Sequence, residues 1–599
     1  LRNLMSEDIK SIDVVSNPGA EYGGEVRCVV RIRTVKRQGD GFSYALTSQA
    51  QQHIYDNHDF DPSWSVLDLN YRTGGWDIIG KLVYYNQHSY QISDQMSGNT
   101  FVKMPDGSVK HNLMEGPFAF IGHNSGISGD LGLNWQINEN HSLGMKMNYG
   151  GMLFGNQDIV FEDKVYANDE LIDIVHSASH TTTPSSHTFT GNIYYDGNIN
   201  KLHVNFNADF SDSGYKKETN VNENSQNDPA FIENLSDGVA RMGAGKLVLS
   251  YPIWKGMFKI GTEETYVTAK QEYNSTKTEI PSSKAKIAEN NISGFAEYAI
   301  PFKHVQLVAG LRFEHVDFEY TNECSPKDNI SRTHNNWFPS FNASTKIGPV
   351  GINLGYTTKI KRPRYDQLST EMQYNNRFLY QTGDPTLLNE IQNTLSLNAN
   401  WRWLTLTGAY EVVDNAIYQL GYPYDDDCTA MVKYSNAKET VRKLNIYLNA
   451  SPTVGIWNPR YTVGMEKQYF ETTVIDPRES TGTRVVKRND PMFFVQANNS
   501  FKLKQGWLID LDYQYTSPFD YVMYKFTKPK HGLNLAVSKS FLKHDALNVR
   551  LAWNDILNKT KEHVCTDYGN FIHNQNNDYY SPCVQLRLSY RFNTANSKY

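Results

Sequence analysis

The chain has 599 residues, a formal net charge of −6 at pH 7, 39% hydrophobic residues and 13% aromatic residues. Its near-neutral charge, without a basic run or stripe, argues against nucleic acid as a partner. No stretch approaches the roughly 18 apolar residues that a transmembrane helix requires, which excludes a helical membrane protein.

The first predicted element is a pair of strands, residues 9–15 and 26–35, joined by the turn sequence NPGAEYG at 17–23. The second strand is rich in β-branched residues, which favour strands. Arg31 and Arg33 lie on one face of it, because successive side chains alternate across a strand. No later stretch combines a Gly/Pro-rich turn with a basic strand, so we expect this segment to differ in role from the rest.

From Gly41 onward, apolar and polar residues alternate with period two, the pattern of strands with one apolar face. In KLHVNFNADF at 201–210, every even-numbered residue is apolar. Comparable segments recur along the chain and give 22 candidate strands between Gly41 and Asn593. Each has about ten residues, enough for a strand tilted by about 45° to span the apolar layer of a bilayer.

The connections between these strands alternate between short and long. Short turns such as TGG at 73–75, NENH at 138–141 and GP at 348–349 are followed by long polar stretches such as 90–116 and 157–184. Outer-membrane barrels have this asymmetry, with short periplasmic turns and long external loops.

The alternative to a barrel is a large soluble all-β protein. A propeller would show a repeat of about 40 residues, which this sequence lacks. Tandem sandwiches would not require loops that alternate in length. Tryptophans near the predicted strand ends, including Trp135, Trp401 and Trp507, suit the aromatic girdle of a membrane barrel. The predicted fold class is therefore all-β, a 22-stranded antiparallel transmembrane β-barrel.

The sequence carries no motif of a catalytic site. It lacks GxSxG, HExxH and an EF-hand loop, and GAGKL at 243–247 has neither the spacing nor the Ser/Thr of a phosphate-binding loop. We therefore expect no enzyme activity, no catalytic residues, no metal site and no cofactor.

One loop, YPYDDDC at 422–428, concentrates acidic and aromatic residues. Tyr424, Asp425, Asp426 and Asp427 could bind a cation or the face of a sugar at the external mouth of the barrel. The alternative is a solvated loop tip without a ligand.

The five cysteines form no CxxC pair, which argues against a zinc ribbon. Cys565 and Cys583 bracket a polar loop and could form a disulfide in an oxidising compartment. Two free thiols are the alternative.

Several segments resemble TonB-dependent outer-membrane receptors, in the form found in Bacteroidota. IKSIDVVSNPGAEYGGEVRCVVRIRTVK at 9–36 resembles the end of their plug domain. The segments that resemble their barrel are VAGLRFEHVDFEY (308–320), NWFPSFNASTKI (336–347), GYTTKIKRPRYDQLS (355–369), TGDPTLLNE (382–390), LAWNDILN (551–558) and LRLSYRF (586–592). The family usually has proline at the position of Asn389.

The resemblance implies two domains, the C-terminal part of a plug at residues 1–40 and the barrel at 41–599. It also implies a latch in which Arg31 or Arg33 pairs with Glu314 and Glu390. Alternation places both glutamates on the lumen face, where a buried guanidinium needs a carboxylate partner. Solvated lumen charges without pairing are the alternative.

The resemblance further implies a receptor or transporter in a Gram-negative outer membrane. It would bind a scarce nutrient outside and pass it through a plugged lumen, driven by a TonB-type energy-coupling protein through a missing N-terminal segment. Its other contact would be outer-membrane lipid. The alternatives are a non-transporting scaffold for a surface lipoprotein or secretion partner, and an open diffusion pore.

Overall fold

The computed structural model describes residues 9–15, 18–34, 40–54, 61–424, 429–579 and 581–593. A hairpin comes first, formed by β1 (Ile9–Val15) and β2 (Val29–Thr34). The strands that follow are β3 (Gly41–His53), β4 (Asp61–Thr73), β5 (Trp76–Lys103), β6 (Val109–Asn138), β7 (His141–Ala167), β8 (Glu170–Ile199), β9 (Leu202–Asn224), β10 (Ala230–Ile253), β11 (Gly256–Ser275), β12 (Ser283–Pro301), β13 (Val305–Asn322), β14 (Ile330–Ile347), β15 (Val350–Lys361), β16 (Gln373–Asn376), β17 (Leu379–Thr382), β18 (Glu390–Trp401), β19 (Leu404–Asp414), β20 (Ile417–Pro423), β21 (Ala430–Asn436), β22 (Val441–Ala450), β23 (Trp457–Tyr469), β24 (Glu471–Ile475), β25 (Thr483–Lys487), β26 (Met492–Lys502), β27 (Trp507–Thr516), β28 (Phe519–Asp520), β29 (Tyr524–Phe526), β30 (Lys530–Phe541), β31 (Leu547–Asn554), β32 (Glu562–Asp567), β33 (Phe571–Asn577) and β34 (Cys583–Phe592).

Helical structure is sparse in the part of the chain that the structure describes. It consists of α1 (Tyr365–Leu368) and short 3₁₀ turns at Pro326–Asp328, Lys504–Gly506 and Lys543–Asp545. None of these helices has the length and apolar character needed to cross a membrane.

Within the described residues, 22 strands close into one antiparallel barrel. The ring runs through β3 to β15, β18, β19, β22, β23, β26, β27, β30, β31 and β34, whereas β28, β29, β32 and β33 extend the same sheet outside the ring, with β33 paired to β5. Pairing of β3 with β34 closes the ring, with Tyr44 opposite Phe592. The predicted all-β class and strand number are confirmed.

The outer face of the barrel is apolar. Phe206 and Phe210 are exposed on β9, as the alternation at 201–210 predicts. On β13, Leu311 is exposed while Arg312 and Glu314 are buried inside. Because a closed barrel pairs its backbone groups between strands, this apolar surface can face lipid without leaving polar groups unsatisfied.

An aromatic girdle lies at the end of the barrel that has the short turns. The rings of Trp76 and Trp135 stack there with centroids 5.3 Å apart. Trp401 and Trp507 are exposed at the same end. Indole rings favour the interface between lipid and water, so these residues mark one boundary of the membrane.

Six neighbouring strands, β5 to β10, are 23–30 residues long. The predicted length of about ten residues was wrong for them, since much of 90–116 and 157–184 is strand and not loop. A bilayer needs only about ten residues per strand, so the remainder projects as a wall on the long-loop side. Both faces of this wall mix polar and apolar residues, such as exposed Ile172 and Ile174 and buried Asp173 and Val175 on β8, and the ladders satisfy the backbone.

Two long connections fold over the mouth of the barrel. Their strands form a four-stranded sheet in the order β16-β17-β21-β20. Leu368, Leu387 and Ile417 from these connections pack against Phe318 and Tyr320 on the inner wall. We call residues 362–389, 415–424 and 429–440 the cap, because this apolar contact holds them across the lumen.

Candidate functional site

A tight turn at residues 18–26, here called the lumen turn, packs against the inner wall of the barrel. Backbone hydrogen bonds from Tyr22 to Gly19 (3.1 Å) and from Val26 to Gly23 (3.0 Å) define its shape. A Cβ atom on Gly24 would lie 2.8 Å from the ring of Phe338. Glycine is therefore needed where the turn packs against this ring.

The backbone of the lumen turn is hydrogen-bonded to three wall strands. The Ala20 amide donates to the carboxylate of Glu297 (3.1 Å), and the Gly24 amide donates to Glu314 Oε1 (2.9 Å). The Ile360 amide donates to the Gly24 carbonyl (2.9 Å). Because these groups are buried, each bond also avoids the cost of an unsatisfied polar atom.

Side chains add ionic contacts to these backbone bonds. Lys259 Nζ lies 2.6 Å from Glu21 Oε2, and Arg362 Nη1 lies 3.2 Å from Glu25 Oε2. Lys246 Nζ donates to the carbonyl of Glu21 (2.5 Å). The lumen turn is thus held at both of its acidic residues, by Lys259 of the wall and by Arg362 of the cap.

Glu314 is the centre of a buried ionic network and is only 1% exposed. Arg312 Nε donates to one of its oxygens (2.6 Å) and Arg362 Nη2 to the other (2.7 Å). Arg312 also contacts Glu263 (3.0 Å). Buried charges survive only when they are paired in this way, and removal of one partner is costly.

The lumen turn separates two chambers. The one between the turn and the cap, here called the upper chamber, has a volume of about 600 Å³. The lower chamber has a volume of about 800 Å³ and is lined mainly by amide and hydroxyl side chains. Tyr22 lines both of them. The turn therefore lies between the two chambers.

The residues predicted for the latch lie in or beside this site. Arg31 donates to the Tyr22 hydroxyl (2.8 Å). Glu390 contacts Lys361 Nζ (3.0 Å) and accepts a hydrogen bond from the Ile417 amide (2.6 Å), so it holds the cap. The side chain of Arg33 lies outside the described residues. The pairing of these arginines with Glu314 and Glu390 stays a prediction.

The predicted external ligand site falls mostly outside the described residues, which exclude Asp425, Asp426 and Asp427. Tyr424 is described, and its ring packs edge-on against Tyr380 in the cap, with centroids 5.2 Å apart. Its ring therefore takes part in the internal packing of the cap.

Cys565 and Cys583 do not form the disulfide considered above, because both are free thiols. They lie on separate strand pairs, with Cys565 opposite Asn574 and Cys583 opposite His53. The thiol of Cys583 accepts a hydrogen bond from Asn554. Of the two alternatives, the structure has the free thiols.

The cations that hold the lumen turn follow from the sequence only in part. Arg312 and Glu314 are separated by one residue, so alternation along the strand places both side chains on the lumen face. Arg362 follows β15 directly, before a proline that ends the strand. Lys246 and Lys259 sit on strands without any motif, so only their position in the barrel reveals their role.

Ion pairs also fix the cap to the long wall. Arg377 contacts Asp173 (3.2 Å) and Glu223 (3.4 Å), and both carboxylates are almost completely buried. The Tyr374 hydroxyl donates to Glu223 as well (2.7 Å). These contacts keep the mouth of the barrel closed on the external side.

The cap should loosen as pH rises because of Glu371. Burial raises the pKa of this carboxyl to about 7; Asp366 contributes to the rise, whereas Lys217 opposes it. Because the pKa of Glu371 is higher in the closed state, its carboxyl ionises first in the open state as pH rises. The closed state of the cap therefore loses stability relative to the open state between the ordinary pKa of glutamate and about pH 7. With an ordinary pKa of about 4.5 and a closed-state pKa of about 7, we expect the cap to open roughly seventyfold more often at pH 8 than at pH 5.

Hydrogen exchange of residues 365–382, corrected for the intrinsic effect of pH, measures this opening. Glu371→Gln serves as the control, because it removes the ionising group and should abolish the difference between pH 5 and pH 8. An equal pH difference in the variant would assign the effect to another group.

The comparisons with known proteins agree with this architecture. The sequence profile of the Outer membrane protein beta-barrel family matches residues 195–590, more than half of the chain. No curated protein sequence matches the chain significantly.

Solved structures of transporters and receptors share the fold. The copper transporter OprC has a TM-score of 0.65 at 12% identity, over 97% of this chain and 85% of that one. The FrpB iron transporter from Neisseria meningitidis has a TM-score of 0.61 at 12% identity, over 98% and 88%. The Serratia marcescens hemophore receptor HasR has a TM-score of 0.60 at 12% identity, over 97% and 86%. The chain therefore belongs to the outer membrane protein beta-barrel family and shares the fold of these transporters and receptors.

Proposed function

We propose that this protein is a TonB-dependent transporter that binds a scarce nutrient from the external side and passes it through a gated lumen. The observation that carries the proposal is the lumen turn, which lies between the upper chamber and the lower chamber. In this proposal, residues 1–40 are the C-terminal part of a plug domain, and the turn is the part of the gate that contacts the wall.

The bonds that hold the turn suit a gate that opens on demand. They are hydrogen bonds and ion pairs, so they can break and form again without covalent chemistry. Several of them must break together, which requires an energy input larger than thermal motion supplies. A TonB-type protein that pulls on the N-terminal side of the turn would provide that input.

A second candidate is a scaffold that does not transport and that holds a surface lipoprotein or secretion partner. The closed cap favours this candidate, because buried ion pairs hold the mouth of the barrel shut. A scaffold needs no movement of the lumen turn, which makes the two candidates separable by experiment.

Labelling of Cys28 tests the proposal. This thiol is exposed beside the lumen turn, and a variant with Cys324, Cys428, Cys565 and Cys583 replaced by serine retains it as the sole cysteine. We expect a membrane-impermeant maleimide to label Cys28 of living cells faster when the inner membrane is energised than after treatment with a protonophore.

The matched control retains Cys324 alone, a thiol exposed in the connection between β13 and β14. It should be labelled at the same rate under both conditions. Labelling of Cys28 that is independent of the proton gradient would reject the transporter in favour of the scaffold.

A further inference from the structure

The upper chamber contains buried nitrogen atoms that have no hydrogen-bond partner among the described residues. They are Arg312 Nη1, Arg332 Nε, His334 Nε2 and Arg362 Nε. All four side chains line the chamber. A buried donor without an acceptor costs about 1–3 kcal/mol, and more when it is charged. Arg312 Nη1 and Arg332 Nε are always protonated, so these two donors at one cavity indicate a missing acceptor. Arg362 Nε lies 3.9 Å from Glu289 Oε1, and His334 Nε2 donates in one of its two tautomers.

Arg332 is the strongest indication. Within the described parts of the chain it makes no hydrogen bond and no salt bridge, and its guanidinium lies over the ring of Phe318, 4.8 Å from the centroid. The other cations of the chamber are paired, Arg312 and Arg362 with glutamates, Lys246 with Glu263 and Arg364 with Asp366. Arg332 contacts no carboxylate of the described residues directly, and the charges of Glu289, which lines the chamber, and of Asp384 act on it only from a distance.

The geometry of β14 places a second donor beside this charge. Arg332 and His334 are separated by one residue, so their side chains share the inner face of the strand, opposite Phe318 and Val316 of β13. Asn336, the next residue on that face, also has a buried side-chain nitrogen without a partner. Of these three residues, Arg332 and His334 line the chamber, and two aligned side chains of this kind suit a group with several acceptor oxygens.

Arg312 contributes a donor from the neighbouring strand. It is 2% exposed, and its Nε and Nη2 atoms are already bonded to Glu314, Glu263 and Ser293. These bonds fix the plane of the guanidinium and leave Nη1 directed away from them, without a partner. A guanidinium held in this way is organised for an anion before the anion arrives.

We propose that the upper chamber binds a small ligand that bears an oxyanion, a carboxylate or phosphate group, with Arg332 as its principal charge partner and His334 and Arg312 as further donors. The inference rests on the proposed function, because it names the class of nutrient that the transporter recognises. The chamber of about 600 Å³ limits the ligand to a small molecule. The lumen turn forms part of the chamber, so the ligand would contact the gate itself.

Calorimetric titration of the full-length protein in detergent tests the site with citrate, inorganic phosphate and glucose at constant ionic strength. We expect citrate or phosphate to bind and glucose not to bind. Citrate binding alone identifies a carboxylate site, and phosphate binding alone identifies a phosphate site. Arg332→Gln should weaken the binding at least tenfold, since it removes the unpaired charge. His334→Ala should weaken it less.

Arg241→Gln is the matched control, because Arg241 is an exposed arginine on the outer face of β10, paired with Asp212. The Arg241→Gln variant should bind citrate and phosphate with the affinity of the natural protein. Arg332→Lys checks that the effect is local, since it retains the charge and should retain part of the affinity. Each variant is compared with the natural protein by its heat-dependent mobility in gel electrophoresis, which reports a closed barrel.

Absence of binding by both anions, or equal binding by Arg332→Gln, would overturn the proposal. The labelling of Cys28 separates this failure from failure of the transport function. If labelling of Cys28 depends on energy but neither anion binds, then only the proposed class of ligand is rejected, and the proposed transport function stands. If an anion binds, Arg332→Gln weakens that binding and labelling of Cys28 does not depend on energy, then the proposed anion site stands and the proposed transport function is rejected.

Discussion

Replacing Glu314 with alanine is expected to release the lumen turn from the wall of the barrel. The substitution removes the acceptor of the Gly24 amide and the shared partner of Arg312 and Arg362. Breaking a buried ion pair by removing one partner costs about 3–5 kcal/mol, because the remaining charge stays buried and uncompensated. The turn should therefore open far more often while the barrel stays closed.

Hydrogen exchange distinguishes these two events. Amides of residues 18–26 should exchange at least a hundredfold faster in Glu314→Ala, whereas those of β3 and β34 should change little. Glu319→Ala is the matched control, because this exposed carboxylate on the same strand lies outside the network. Unchanged exchange of the turn in Glu314→Ala would mean that its other bonds suffice.

Replacing Arg377 with alanine is expected to open the cap. The change leaves the buried carboxylates of Asp173 and Glu223 without their cation. Two uncompensated charges in a buried site again imply a loss of about 3–5 kcal/mol, this time between the cap and the long wall. Loss of these ion pairs should detach β16 and β17, which flank Arg377, from the long wall.

Faster hydrogen exchange of residues 373–382 would report this detachment, and so would cleavage of the cap by a protease added outside the cells. Lys487→Ala provides the control, since it breaks an exposed pair with Glu471 at the hairpin of β24 and β25. Exposed pairs contribute at most about 1 kcal/mol, so the control should behave as the natural protein does. Equal protease resistance in Arg377→Ala would show that the apolar contacts alone hold the cap.

The ionic site was predictable only in part. Alternation along 305–320 places Arg312 and Glu314 on the lumen face, and the structure has both buried there. The partners did not follow from this, because Glu314 meets Gly24 across 290 positions of sequence. A pattern with period two reports which face a side chain occupies, and it carries no information on which distant residue shares that face.

The sequence by itself determined the barrel, its 22 strands and its place in a membrane. Each wall strand separates lipid from a polar lumen. Its residues therefore alternate between apolar side chains that face lipid and polar side chains that face the lumen. Tertiary structure alone decided the height of the wall, the cap and the pairing of lumen charges. These features depend on contacts between segments that are far apart in the sequence, and the alternation along one strand does not specify which distant segment it meets.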